Sequence, residues 1–204
     1  MKRILFAVLL CLLQPLPAQA ANVVRSYSYF SVGGTTLDEI EAQLSKNGPH
    51  VKSTGSRHPG ATRMAFTTRL GFAEQPRACR IVSAVVTVKA HVILPRWTRP
   101  RKADAGVRLL WDTLSADIKR HEESHIVIAR SHARELEQAL LAIGRQKDCQ
   151  AAKTRAKAIS DKILAKHDRA QLEFDRIEGI NFESRLLRLL NYRIERMDAH
   201  RKSR

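Results

Sequence analysis

Two histidines and a glutamate near the middle of the chain have the types and spacing of a metal-dependent hydrolytic site. Residues 121–125 read His121-Glu122-Glu123-Ser124-His125, that is, His-Glu-x-x-His. On a helix, residues four apart project from one face about 6 Å apart along the axis, so both imidazoles can reach one zinc ion at about 2.0–2.1 Å. Glu122 lies about 100° round the helix, where it can touch a metal-activated water without ligating the metal. The pattern predicts Zn2+ bound by His121 and His125 with Glu122 as catalytic base; the alternative is a pair of hydrogen-bonded core histidines.

A third zinc ligand is expected from the helix that follows. His132 lies on the same face as His125 but about 10.5 Å further along an unbroken helix, so it is not expected to share the ion. If the chain turns back near residues 144–149, residues 168–172 lie opposite 121–125. The candidates on one stripe there are His167, Gln171, Asp175 and Glu178. Geometry favours His167, whereas a carboxylate would match the commonest exported zinc peptidases, so the residues alone leave the third ligand open.

The motif falls within a stretch whose apolar residues step by threes and fours. This period predicts a long helix over residues 105–143, which Gly144 ends. It also predicts a second helix over about 150–177 and a third over about 182–200, interrupted at Gly179, so that a C-terminal helical hairpin follows the long helix. The stripe of the long helix that should face the core includes both motif histidines: Val107, Leu110, Leu114, Ile118, His121, His125, Ala129, His132, Leu136, Leu140 and Ile143.

Before residue 95 the apolar period is two, which is typical of strands. A strand is predicted over 25–33, followed by a short helix that a capping box opens at Thr36 with Glu39 three residues on. Two longer alternating runs, 62–70 and 82–94, predict a half-buried antiparallel sheet that Pro95 ends. The prediction is one α+β domain with an N-terminal antiparallel sheet part at about 25–95 and a helical part at about 105–200.

The first twenty residues are expected to be a signal peptide. Lys2 and Arg3 precede an apolar run over residues 4–13, and Ala18-Gln19-Ala20 is the small-x-small pattern that precedes signal cleavage. The run is too short to span a bilayer, which needs about 20 apolar residues, and an N-terminal anchor is the alternative. We therefore expect an exported protein, periplasmic or secreted, with a mature domain over residues 21–204 and no transmembrane span after cleavage.

Signal cleavage would leave two of the three cysteines, Cys79 and Cys149. In an oxidising compartment a lone pair of cysteines most simply forms a disulfide, here closing a loop of about 70 residues. Zinc ligation by this pair is less favoured, because neither cysteine has another cysteine or a histidine within four positions. The sequence therefore predicts a disulfide between Cys79 and Cys149.

The chain is strongly basic, with 36 Lys and Arg against 20 Asp and Glu, a formal net charge of +16 and a pI near 10.5. Residues 185–204 alone hold seven basic and two acidic residues on an amphipathic pattern. Such a face could make electrostatic contact with an anionic envelope surface, and an ordinary solvated face is the alternative. Aromatic residues make up only 5% of the chain, and export is expected. A specific nucleic-acid partner is therefore not expected.

Several segments together resemble the DUF922 family, whose members are described as predicted secreted zinc-dependent proteases. The resemblance rests on Tyr-Phe-Ser-Val-Gly-Gly-Thr-Thr at 29–36, Asn-Gly-Pro at 47–49, Cys-Arg-Ile at 79–81, Leu-Pro-Arg-Trp at 94–97 and the motif at 121–125. Members often carry a later Tyr-Asp-x-x-Thr-x-His-Gly segment, and its nearest match is residues 174–181, in which only Asp175 is unchanged and Ile180 falls at the family's histidine. The resemblance favours Asp175 as third ligand, with His167 and Glu178 as alternatives.

The resemblance implies an exported zinc metallopeptidase acting on a peptide or protein substrate. Glu122 would accept the proton of a zinc-activated water and pass it to the leaving amine, while the free edge of the sheet holds the extended substrate. The composition, 44% hydrophobic and 27% charged, excludes collagen-like, disulfide-dense and multi-pass membrane classes but leaves an enzyme open. The alternatives are a non-catalytic domain that zinc stabilises and a basic protein that binds the cell envelope.

Overall fold

The computed structural model of the chain describes residues 22–51 and 54–203, and the predicted signal peptide over residues 1–20 lies outside the described residues. In chain order the elements are β1 (Asn22–Val32), α1 (Leu37–Asn47), β2 (His50–Val51), β3 (Ser56–Arg57), β4 (Ala61–Gln75), β5 (Ala78–Trp97), α2 (Ala105–Leu141) and α3 (Cys149–Lys202). A 3-10 turn at Pro100–Lys102 connects β5 to α2. Strands thus precede two long helices, which confirms the predicted α+β class.

The main sheet is mixed rather than wholly antiparallel. Its strand order is β1-β5-β4: β4 pairs antiparallel to β5, whereas β1 pairs parallel to it. The antiparallel prediction is wrong for β1, because β5 inserts between β1 and β4. β5 is 20 residues long and its inward side chains are buried from Ile81 to Leu94, so the central position, where both edges are paired, suits it best. The strand also continues through Pro95 to Trp97, beyond its predicted end.

Side-chain caps fix where the helices begin. The predicted capping box of α1 is confirmed: the Glu39 backbone N–H donates to the Thr36 hydroxyl, and the Thr36 backbone N–H donates to the Glu39 carboxylate. Asp104 caps α2 and Asp148 caps α3, each by accepting from a backbone N–H three residues on. The start of α2 therefore agrees with the predicted start of the long helix.

α2 packs across the sheet, and the predicted stripe faces the interior: six of its members are buried (Val107, Ile118, Ala129, Leu136, Leu140 and Ile143) and the other five are partly buried. Glu122 and Ile126 are the motif-region residues buried against the sheet, and Ile126 packs with apolar side chains of β5. His121 and His125 are only partly buried and face α3. The buried arc of α2 is wider than this single stripe because the helix packs against two partners, the sheet and α3.

α3 is one unbroken helix of 54 residues that runs antiparallel to α2. The predicted interruption at Gly179, and with it the C-terminal hairpin, is wrong. A glycine inside a helix costs only about 1 kcal/mol relative to alanine, and side chains on both sides of Gly179 are held by α2: Glu178 by Arg120, and Arg185 by Asp117. Within residues 22–51 and 54–203, no helix is both long enough and apolar enough to cross a membrane.

Cys79 and Cys149 form the predicted disulfide, which joins the start of β5 to the first residue of α3. Cys79 is buried in the main core cluster, and its backbone exchanges two hydrogen bonds with Gln146 in the α2–α3 connection. The crosslink therefore ties the sheet to the beginning of the helix that brings Asp175 to the motif.

Reducing this disulfide should lower the free energy of unfolding by roughly 4 kcal/mol, because the crosslink restricts a loop of 70 residues in the unfolded chain. Urea titrations of oxidised and reduced protein would measure the difference, with Cys149→Ser expected to match the reduced wild type. Free-thiol titration of denatured protein from an oxidising compartment should find none. Two reactive thiols in such material would contradict the assignment.

Candidate functional site

Side chains from α2 and α3 meet at one point, which we call the metal triangle: His121, His125 and Asp175. The Nε2 atoms of His121 and His125 are 3.2 Å apart, and Asp175 Oδ1 lies 3.3 Å from the first and 3.1 Å from the second. Burial opposes ionisation of Asp175, but hydrogen bonds from the two histidines hold its pKa far below the ordinary value. Among the residues described here, no other three His, Cys, Asp or Glu side chains converge in this way.

The donor atoms of the metal triangle have the separations of three corners of a coordination shell. In a tetrahedral zinc site with bonds of about 2.0–2.1 Å, neighbouring ligand atoms lie about 3.3 Å apart. The edges of 3.1–3.3 Å agree with that spacing. The separations therefore fit a zinc ion, which His121, His125 and Asp175 would hold.

Gln171 determines which nitrogen of His125 carries the proton. The Gln171 side-chain nitrogen donates to the backbone carbonyl of His125 at 3.1 Å, which leaves its oxygen to accept from His125 Nδ1 at 2.6 Å. In the neutral ring Nε2 then carries a lone pair, which faces Asp175 Oδ1. Burial acts to lower the pKa of His125, but its hydrogen bonds to Asp175 and Gln171 raise it above the ordinary value. The facing lone pairs repel unless a proton or a metal cation lies between them.

His121 is held from α3 as well. Its Nδ1 lies 3.5 Å from Glu178 Oε2, and its ring stacks on Phe174 with centroids 5.0 Å apart. Phe174 also meets His125, edge to face, at 5.1 Å. Each motif histidine therefore turns Nδ1 toward an acceptor on α3 and Nε2 toward Asp175, the kind of outer contact that orients metal-ligating histidines.

His167, which helix geometry favoured as third ligand, reaches the site only through Gln171. Its Nε2 accepts from the Gln171 side-chain nitrogen at 2.8 Å, and its Nδ1 donates to Asp168 at 3.0 Å. The predicted register is about one helical turn off, because the connection over residues 142–148 places Gln171 rather than His167 opposite His125. A chain of hydrogen bonds therefore runs from Asp168 to the metal triangle.

Two further residues that the sequence analysis considered as ligands, Glu178 and His132, also lie outside the metal triangle. Glu178 faces Nδ1 of His121 rather than Nε2, and its carboxylate is paired with Arg120 and Arg185. His132 donates from Nδ1 to the carbonyl of Ile128 on its own helix, as its distance along α2 leads one to expect.

His167 should make the fold sensitive to acid. Burial lowers the pKa of His167 below its ordinary value of 6.5, so the unfolded chain binds the proton more readily than the folded one. Its contribution to stability is complete above about pH 6.5 and is lost as the pH falls through the folded pKa. In urea titrations with chelator present, His167→Gln should lose less stability than wild type between pH 7.5 and 5, and the exposed control His200→Gln should follow wild type. Parallel pH curves for His167→Gln and wild type would contradict this.

Glu122 lies beside the metal triangle and is only 5% exposed. The Thr62 hydroxyl lies 2.8 Å from Glu122 Oε2, and at Gly60 a Cβ atom would lie 2.8 Å from Oε1. Burial raises the pKa of Glu122, and the Thr62 hydrogen bond together with the two histidines partly offsets that rise. Sequence reasoning missed Thr62 and Gly60, because nothing local in β4 or the preceding loop points to a helix 60 residues away.

A network of ion pairs holds α3 against α2 one turn beyond the metal triangle. Asp117 is buried, and it accepts from Arg120 at 2.8 Å and from Arg185 at 3.1 and 3.2 Å. The guanidinium groups of Arg120 and Arg185 also pair with Glu178. Burial acts to raise the pKa of Asp117, but the two arginines lower it overall, so the carboxylate stays charged. The network fixes the register that sets Asp175 opposite the histidines.

A cleft runs past the metal triangle and opens into cavities on both sides of it, of about 430 and 260 Å3. Both cavities are lined by His58, Gly60, His121, Glu122 and Asp175. β4 begins at Ala61, which lines the larger cavity, and β4 is an edge strand of the main sheet. The triangle and Glu122 thus lie where the two cavities meet.

A family model described as a bacterial protein of unknown function (DUF922) matches residues 27–183. The match begins within β1, covers the rest of the sheet, the metal triangle and the ion-pair network except Arg185, and ends within α3. Neither the curated proteins nor the solved structures contain a match to the chain. Because the family model covers well over half of its length, the chain belongs to the DUF922 family.

Proposed function

We propose that this protein is an exported zinc metallopeptidase that hydrolyses peptide bonds in a peptide or protein substrate. The observation that carries the proposal is the metal triangle of His121, His125 and Asp175, with edges of 3.1–3.3 Å, beside the buried carboxylate of Glu122. A zinc ion bound there would supply Lewis acidity, polarising a carbonyl and lowering the pKa of water.

The proton positions around His125 support a cation in the triangle. Because Nδ1 of His125 donates to Gln171, Nε2 of the neutral ring presents a lone pair to the Asp175 carboxylate and to Nε2 of His121. Two imidazole nitrogens and one carboxylate oxygen are a donor set that zinc accepts readily. The outer contacts from Gln171 and Glu178 hold both rings in the orientation that ligation requires.

Glu122 is the residue we assign to proton transfer. It neighbours His121 in sequence but turns toward the sheet, where Thr62 holds its carboxylate at 2.8 Å and Gly60 leaves room for it. From this position it accepts a proton from the attacking water and donates it to the leaving amine. Because the carboxylate is fixed before substrate arrives, little reorganisation is needed during the reaction.

The edge of β4 is the surface we assign to the peptide backbone. Among the strands that the structure describes, β4 has β5 on one side and no neighbour on the other, and its first residues line the cleft beside Glu122. An extended peptide could add to this edge through main-chain hydrogen bonds, which bind many sequences with little regard to side chains. Selectivity would then depend on the cavities along the cleft.

The test combines metal analysis with hydrolysis of an unfolded reporter protein. We expect about one zinc per chain, degradation that stops with a chelator such as 1,10-phenanthroline, and recovery when Zn2+ is returned. Absence of zinc binding at micromolar concentrations would overturn the proposal. Tight stoichiometric zinc without cleavage across a broad peptide library would favour the alternative of a non-catalytic domain that zinc stabilises.

A second candidate function is contact with an anionic envelope surface through the C-terminal half of α3. The observation that favours it is that α3 is apolar on its outer side as well as toward α2. Four large apolar side chains there are 45–71% exposed: Ile180, Leu187, Ile194 and Met197. Exposed arginines accompany them along the same stretch of helix: Arg176, Arg188, Arg196 and Arg201. Basic helices with an apolar stripe bind anionic interfaces in this way.

Adsorption to vesicles that contain anionic lipid should weaken between 0.1 and 1 M salt, as the Debye length falls from about 10 to about 3 Å. Vesicle sedimentation would measure it. One triple arginine-to-glutamine variant tests the helix and leaves the Arg185–Asp117 pair intact; it changes Arg188, Arg196 and Arg201. A control with the same loss of charge changes exposed arginines of the sheet: Arg63, Arg69 and Arg80. Equal adsorption of both variants would show that this stretch of α3 is an ordinary solvated face.

A further inference from the structure

A third cavity continues the cleft away from the metal triangle, and we call it the apolar cavity. It measures about 490 Å3 and lies where α1, the segment before β4, α2 and α3 meet. Its apolar lining includes Leu37, Ile40, Leu44, Trp111, Leu114 and Phe182. His58, Pro59 and Phe182 line both this cavity and the 260 Å3 cavity beside Glu122, so the two share a wall.

The apolar cavity has the size and chemistry of a ligand pocket. Its volume falls within the roughly 300–1,000 Å3 of small-ligand sites, which are lined mainly by apolar and aromatic side chains. Leu37 is 45% exposed and Phe182 is 40% exposed, so two lining residues keep apolar surface in contact with water. The charged residues of its lining, Glu41 and Arg57, are of opposite sign and give no net preference for a charged guest. An apolar guest would therefore gain the most from entering.

We propose that the apolar cavity is a specificity pocket that receives a large apolar side chain, of the Leu or Phe class, from a peptide bound along the cleft. This inference rests on the proposed peptidase function. A peptide side chain is the occupant because the cavity shares a wall with the 260 Å3 cavity, which borders the metal triangle, and an extended chain that advances about 3.3 Å per residue can run from one to the other. Leu114 and Phe182 are each seven residues along their helices from His121 and Asp175, about 10.5 Å, so the selected residue would lie about three positions from the cleaved bond.

Binding can be measured without turnover in the Glu122→Gln protein. Two blocked decapeptides of Gly and Ser serve as probes, one with Leu-Phe at its centre and one with Ala-Ala. Trp111 lines the cavity and is one of only two tryptophans in the chain, so its fluorescence reports entry of a side chain. We expect the Leu-Phe peptide to bind at least about tenfold more tightly than the Ala-Ala peptide, because it buries more apolar surface. Equal affinities, or no binding of the Leu-Phe peptide at millimolar concentration, would overturn the inference.

A matched pair of variants tests whether the preference resides in the cavity. Leu37→Asp places a charge in the lining, and the fold should tolerate it because Leu37 is the first residue of α1, where an acidic side chain is favourable. Leu141→Asp makes the same change at a helix end with similar exposure, 42%, outside the cleft. The tenfold preference should disappear in the first variant and persist in the second; a preference that survives Leu37→Asp overturns the inference.

Failure of the cavity assignment can be distinguished from failure of the proposed peptidase function. If the Leu-Phe peptide binds selectively and wild-type zinc protein does not cleave it or any library peptide, the cavity assignment stands and the peptidase proposal fails. If wild type cleaves library peptides with no preference for large apolar residues near the cut, the peptidase proposal stands and the cavity assignment fails.

Discussion

Replacing Glu122 with glutamine should lower peptide hydrolysis by roughly 10²–10⁴-fold while zinc content stays near that of wild type, since that range is the usual worth of a positioned general base. Glutamine keeps the size of the side chain and can still accept from the Thr62 hydroxyl at 2.8 Å, but it cannot take up a proton. None of the three donor atoms of the metal triangle is altered. Steady-state cleavage of a fluorogenic peptide and zinc analysis on the same preparation would measure both quantities.

Glu123→Gln is the matched control for this experiment. Glu123 is the adjacent residue, but it points away from the triangle: it accepts from the Tyr27 hydroxyl at 3.0 Å and pairs with Lys119 at 3.8 Å. Its loss of one negative charge on the same helical turn should leave hydrolysis within a few-fold of wild type. Full activity in Glu122→Gln, together with wild-type activity that a chelator abolishes, would show that another group is the base.

The local part of the site could be predicted from the sequence, because helical geometry alone determines it. His121 and His125 share a face of any helix through four residues, whatever else packs there, and Glu122 necessarily lies to one side of them. The capping box at Thr36 and the disulfide between Cys79 and Cys149 follow in the same way from short-range spacing and from the pairing of two cysteines.

The long-range part could not be predicted from spacing. The third member of the triangle depends on the register between α2 and α3, which the connection over residues 142–148 and the Asp117–Arg185 ion pair determine. An error of one turn exchanges His167 for Gln171 opposite His125. Thr62 and Gly60 contact Glu122 only because the start of β4 crosses α2, and alternation along a strand does not say which helix it meets.

The mixed sheet shows the same limit. Alternation with period two identifies a strand and its buried face, but it does not identify the neighbouring strand. β1 and β4 both pair with β5, the longest and most buried strand, and this makes the β1–β5 pair parallel. Gly179 likewise predicts a break in the helix from local sequence alone. The ion pairs of Glu178 and Arg185 with α2 outweigh the small cost of a glycine inside a helix.

Removing the carboxylate of Asp175 should lower zinc affinity by more than about 100-fold, because it deletes one of three protein donors, whereas loss of an outer hydrogen-bonding partner costs about 10–100-fold. Gln171→Ala removes such a partner of His125 and should fall in the lower range, and Asp168→Ala, two hydrogen bonds further out and exposed, should change affinity least. Competition with a chromophoric zinc chelator would rank the three variants.

The same titration decides between Asp175 and His167 as the third ligand. His167→Ala leaves the triangle intact and acts only through Gln171, so it should weaken zinc binding no more than Gln171→Ala does. A variant that loses zinc because the helices have separated would also lose thermal stability with metal absent, and melting curves in chelator identify that case.

If His167→Ala lost zinc while Asp175→Ala retained it, at equal metal-free stability, α3 would have to slide by about two turns, 8 residues at 1.5 Å each, to bring His167 to the motif. That movement would break the Asp117–Arg185 pair, so reversing one charge of the pair with Arg185→Glu would then have no effect on zinc affinity. With Asp175 as ligand, the same reversal disturbs the register of α3 and weakens zinc binding, and the two assignments give opposite results in one measurement.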